Sequence, residues 1–170
     1  VTAAPAGAGT RREPEHKVPA PELRCLPDTA NGSTDGISVA VAAGRALLGA
    51  ALLADSAADV AIDVEPAAWP TSDLRAIALA VAQLRCAGRP VDPIALAEQL
   101  HRAGAGIGIE VLLQMMNETP SVSLAEHYRG VLTRYRRDRQ LVELADQLGR
   151  AAYDGEDVSE IVRRIVEVAS

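Results

Sequence analysis

From Tyr128 to Ala152, apolar side chains return every three or four positions: Tyr128, Val131, Leu132, Tyr135, Leu141, Leu144, Ala145, Leu148 and Ala152. That period belongs to a helix and not to a strand. Ser123 and Glu126 stand at the spacing of a capping box at its start, and a helix of about thirty residues is roughly 45 Å long. A chain of 170 residues builds one domain too small to cover such a rod, so part of it projects. The turn Tyr-Asp-Gly-Glu-Asp at 153–157 follows, then a second box, Asp157 with Glu160, and a second stripe of Val158, Ile161, Val162, Ile165, Val168 and Ala169. The end of the chain therefore reads as an αα-hairpin. Its apolar faces exceed what two helices bury against each other, which predicts a covering partner, a second copy, over Tyr135, Leu141, Leu144, Leu148, Val158, Ile161, Val162 and Ile165.

Upstream the same period returns in shorter pieces. Residues 37–53 are apolar except for Ser38, Gly44, Arg45 and Gly49, which predicts a central buried helix. A short helix over 56–64 is broken by Pro66 and Pro70, between which Trp69 is expected to plug the core. Thr71 or Ser72 caps the next helix, with Leu74, Ile77, Ala78, Val81 and Leu84 on one face and Gly88 and Pro90 at its end. Asp92 and Pro93 form a cap and first-position proline for a helix carrying Ile94, Leu96, Ala97 and Leu100. Glycines 104, 106 and 108 end it, and a fifth helix covers 109–117. No segment alternates apolar and polar residues as a strand does. The expected fold is all-α: a bundle of about five helices over 37–120 and, in the same domain, a hairpin over 121–170 as its dimerisation element. Residues 1–36, with five of the ten prolines, read as a disordered Pro/Ala/Gly-rich leader, and the turn chemistry of residues 31–36 marks its boundary.

Charge and aromatic content exclude several functions. A net charge of −6 does not suit a surface built to coat nucleic acid, and 2% aromatic residues with no Phe leave no stacking platform for single strands. No apolar run is expected to reach the roughly 18 to 20 residues that span a bilayer, and the first residues contain no signal-peptide core. A cytoplasmic protein is expected.

Chemistry-bearing constellations are missing. The single lysine, Lys17, stands outside any Gly-x-x-x-x-Gly-Lys-Ser/Thr, so these 170 residues contain no phosphate-binding P-loop. The glycines of 103–110 follow no strand and read as a helix connection. His16, His101 and His127 are far apart, and Cys25 and Cys86 have no metal-ligand spacing. His101 is expected to complement a helix dipole. Ser121 and Ser123 lie in no nucleophile elbow, and Glu156 and Asp157 belong to a turn. Neither catalysis nor a metal or cofactor is expected.

One charged cluster stands out: Arg129, Arg134, Arg136, Arg137 and Arg139, with Asp138 the only acid among the eleven residues 129–139. Three readings compete for it. The arginines form a solvated face whose stems cover apolar surface, or they meet an acidic patch on a partner protein, or they contact DNA phosphates in a helical DNA-binding regulator.

Five segments in order resemble the N-terminal domain of DnaB-type replicative helicases. They are ALLGAALLADS (46–56), EPAAWPTSDLRAIALAVAQL (65–84, with Trp69 where that family has Phe), GRPVDPIALAEQL (88–100), NETPSVSLAEHYRGVL (117–132) and AAYDGEDVSEIV (151–162). The resemblance implies a non-catalytic helical bundle with a hairpin that dimerises, sits as a collar over a hexameric motor and is met by primase. It therefore implies a homodimer or higher homo-oligomer, with primase or a helicase motor or loader as further partners. The sequence departs from the family at Trp69–Pro70, where a pair of aromatics is usual, and at Leu74, where a basic residue or His is common.

Overall fold

A computed structural model describes the backbone of residues 29–170 and the side chains from residue 36 onward. Among the described residues there are helices and no strands. Seven α-helices follow one another: α1 (Thr29–Leu53), α2 (Asp55–Ile62), α3 (Ser72–Cys86), α4 (Pro93–Arg102), α5 (Ile109–Glu118), α6 (Ala125–Asp154) and α7 (Ser159–Ala169). The leader expected over 1–36 falls outside the described residues up to residue 28, but residues 31–36, expected as a turn, are helical. No proline lies between Pro27 and Pro66. Once 37–53 is helical, extending it upstream costs only the low propensity of residues such as Gly32 and Gly36, about 1 kcal/mol each, and no new nucleus.

α1 is the central helix. It packs on α2, α3, α5 and α6, and buries Ala40, Ala43, Leu47, Leu48, Ala50, Ala51 and Leu52. By length and composition its 18-residue window Gly36–Leu53, of mean hydropathy 1.8, is enough to cross a membrane, contrary to the expectation from sequence. In the fold half of that window is buried inside the bundle, where α1 serves as the core helix. Gly49 brings α1 onto α5: a Cβ there would lie 2.8 Å from the carbonyl carbon of Met115 and overlap the Thr119 hydroxyl.

Local sequence chemistry sets most helix ends. Thr71 Oγ1 accepts from the Leu74 amide at 3.2 Å, and Asp92 Oδ1 accepts from those of Ile94 and Ala95 at 2.9 Å. Trp69, 2% exposed, follows the one-turn 3-10 segment Pro66–Ala68 and lies beside Gly44 of α1. The glycine stretch 104–108 closes α4 and opens α5, and His101 stands in the last turn of α4.

The expected cap at Ser123 does not form. Ser123 lies inside the 3-10 turn Val122–Leu124, whereas a capping side chain belongs on a residue of extended backbone. Ser121, at φ −164° and ψ 135°, is that residue, and its side chain accepts from the Ser123 amide. Glu126 turns instead to Arg129. At the hairpin turn Asp157 Oδ1 accepts from the Ser159 amide at 2.9 Å, while Glu160 pairs with Arg163 at 2.7 Å and does not reach back.

α6 belongs to both parts of the domain. Ala125, Tyr128 and Leu132 join the bundle core, so the boundary expected at residue 121 falls within this helix, beyond its first turns. Gly155 ends it at φ 72°, a left-handed conformation that glycine adopts without steric cost, and the Glu156 amide returns to the Ala151 carbonyl at 2.9 Å. α7 then packs back along α6.

Candidate interaction surface

Two residues, Leu144 (1% exposed) and Ala151 (7%), are buried in the chain yet stand apart from the bundle core, and both lie on the stretch of α6 that faces α7. They form the inner seam of the hairpin. Leu141, Leu148, Val158, Ile161 and Ile165 are half-buried along it, and Tyr135 is half-buried against the bundle. Val162 is exposed. Leu144, expected at a partner interface, is therefore covered by its own chain. One face of α6 has to close on α7 before any face is left for another molecule, and Leu144 is on that inner face.

Three exposed apolar residues of the hairpin were passed over by the sequence reading: Val142 (68% exposed), which borders a groove with Ile37 and Pro70 of the bundle, Tyr153 (92%) and Val166 (61%). A signal for them existed. Val142, Ala145, Gly149 and Tyr153 recur at three, four and four residues, a second stripe on α6 beside the one assigned to the interface. A shallow groove follows it, lined by Ala145, Asp146, Gly149, Arg150 and Tyr153, with Asp146 and Arg150 paired at 2.7 Å.

Four of the five arginines in the cluster make contacts within the chain. Arg129 pairs with Glu126 at 2.7 Å and Arg139 with Glu143 at 3.1 Å. Arg136 reaches across to Glu65 in front of the Trp69 loop, and Arg137 donates to the carbonyl of Ala169 at the end of α7. A hydrogen bond to Tyr135, then one to Glu143, raises the pKa of Arg139. Arg134 is exposed and has no ion pair among the described residues. Arg136 and Arg137 thus tie the projecting hairpin at successive positions, one to the bundle and one to α7.

On the bundle, Arg45 and Glu118 pair at 2.7 Å, and Gln114 donates to the other oxygen of Glu118 at 2.6 Å. These bonds hold the Glu118 carboxyl below the usual carboxylate range. The pair edges an apolar groove of about 410 Å³ that also includes Val39, His127 and Tyr128. The Tyr128 hydroxyl is buried without a hydrogen-bond partner among the described residues. Among those residues no three His, Cys, Asp or Glu side chains gather into a metal-binding set.

The architecture defines a class: an all-α domain whose last long helix leaves a bundle to form a projecting hairpin. A family model described as the DnaB-like helicase N terminal domain matches residues 38–134, more than half of the chain, and the chain belongs to that family. It is also similar to the crystal structure of the N-terminal domain of DnaB helicase from Mycobacterium tuberculosis. There the identity is 25%, the match covers 75% of this chain and 94% of that one, and the TM-score is 0.66. No curated protein matches the chain.

Proposed function

We propose that this chain acts in DNA replication as a non-catalytic interaction module, self-associating through its hairpin and contacting primase, a helicase motor or another replication protein in the cytoplasm. Family membership supports the replication role. One observation carries the self-association: the hairpin buries only Leu144 and Ala151 fully, and leaves Val142, Tyr153, Val162 and Val166 exposed. Exposed apolar side chains on a projecting element suit contact with another protein.

Light scattering after size exclusion tests the reading on the whole chain. Val142→Asp and Val166→Asp change exposed positions, so they leave the hairpin seam intact and should convert a dimer or larger assembly into a monomer without loss of helicity. A wild-type chain that is monomeric at tens of micromolar, or an assembly indifferent to both substitutions, would overturn self-association. Primase contact has its own readout: co-elution with the purified protein, lost in the same variants or in Arg134→Gln.

A further inference from the structure

On the side of the bundle formed by α2, α3 and the Trp69 loop lies a slot of about 190 Å³. Its floor is Trp69, and its walls include Ile62, Val64, Leu79 and Ala82. Ile62 is 39% and Leu79 59% exposed, so two large aliphatic side chains flank one concavity. Isolated exposed aliphatic side chains are ordinary on a protein surface, whereas here two flank one cleft over a buried indole. An apolar cavity of about 150 Å³ holds a benzene molecule, so this slot takes one large side chain.

The one charged residue lining the slot is Arg75. Its guanidinium makes no hydrogen bond or ion pair with any described residue. Ten residues further along α3, Arg85 is held by Asp55 at 3.0 Å and Asp59 at 2.6 Å, which shows how this chain neutralises an arginine when it uses its own acids. At Arg75 it does not, and nearby Asp73 accepts from Ser72 Oγ instead.

We infer that the slot receives a linear segment of a partner protein, one large apolar side chain entering between Ile62 and Leu79 and an adjacent carboxylate meeting Arg75. Charge complementarity selects this occupant. The lining offers a cation and no anion, and a guanidinium binds a carboxylate through two parallel hydrogen bonds. A nucleic acid would need several cations and an open aromatic face, and the slot has one cation and an indole lying flush in the core.

Trp69 is the only tryptophan of the chain, so the emission comes from the residue that lines this slot. Capped tetrapeptides with Leu, Ile or Phe next to Glu, in either order, are titrated into the full chain beside their Gln counterparts. The expected result is a saturable change in Trp69 emission with at least one Glu peptide, about tenfold weaker with its Gln analogue, as the loss of a charge-assisted hydrogen bond implies. Arg75→Gln and high salt should erase that difference. Leu79→Asp, at an exposed position with helicity unchanged, should abolish both responses. No saturable response from any peptide, or equal binding of the Glu and Gln forms, overturns the assignment. So does an emission change that follows the protein's own concentration without peptide and persists in Val142→Asp and Val166→Asp, because a second copy would then fill the slot.

Discussion

Gly49 of α1 and Thr119, just after α5, are in backbone-scale contact: a Cβ on Gly49 would occupy the space of the Thr119 hydroxyl, which itself donates to the Met115 carbonyl at 2.7 Å. Gly49→Ala should therefore destabilise the bundle by about 1–3 kcal/mol, since the backbone at Met115 has to move. Gly130→Ala on α6 meets nothing within 4 Å and should stabilise by about 0.5–1 kcal/mol through helix propensity. Urea unfolding of the two variants gives the signs. A neutral or stabilising Gly49→Ala would mean that α1 and α5 do not meet at this distance.

Leu144 and Leu47 should report on different parts of the domain. Each is fully buried, Leu47 in the bundle core and Leu144 in the hairpin seam, so replacement by Ala costs about 2–5 kcal/mol at either site. Hydrogen exchange should quicken across the bundle in Leu47→Ala, and in α7 and the far half of α6 in Leu144→Ala. If Leu144→Ala quickens α3 and α4 as well, hairpin and bundle unfold as one unit.

The hairpin turn should lose stability in acid. Hydrogen bonds from the Ser159 hydroxyl and amide hold the Asp157 carboxyl below the usual range, and Arg163 does the same for Glu160. A carboxyl with a depressed folded pKa stabilises the fold above its unfolded value, about 4 for these side chains, and the contribution disappears as pH falls through the lower folded value. Helicity of α7 should therefore hold from neutral pH to about pH 4 and then decline, before the apolar bundle does. Asp157→Asn should flatten that decline. An acid transition of α7 identical in wild type and variant would remove Asp157 as its cause.

DNA binding through the arginine cluster should depend only weakly on salt. With Arg129, Arg136, Arg137 and Arg139 engaged inside the chain, Arg134 remains for a phosphate, and one contact gives a log–log salt slope of about −0.9. A slope near −4 in an electrophoretic shift assay would show that the internal pairs open for DNA, and would favour the regulator reading over the interaction module.

The caps at Thr71 and Asp92 and the Gly155 turn were legible because each depends on residues within about four positions of one another, and the all-α class and the Trp69 plug because helical spacing and a lone large aromatic between two prolines are visible without the fold. The order of the motifs was enough to reach the family. Less legible were the start of α1, where cooperative extension overrode turn chemistry, and the entry to α6, where a 3-10 turn moved the cap from Ser123 to Ser121.

The sequence by itself determined the all-α class, the position of most helices and that the last two carry abundant apolar residues at helical spacing. It did not determine which stripe faces inward: Leu144 and Val142 are two residues apart on α6, and only the packing of α7 buries the first and exposes the second. The same holds for the arginines, whose partners Glu65 and Ala169 are remote in sequence. Periodicity records the angle between side chains on one helix, whereas the rotation of that helix against its neighbours comes from contacts throughout the fold.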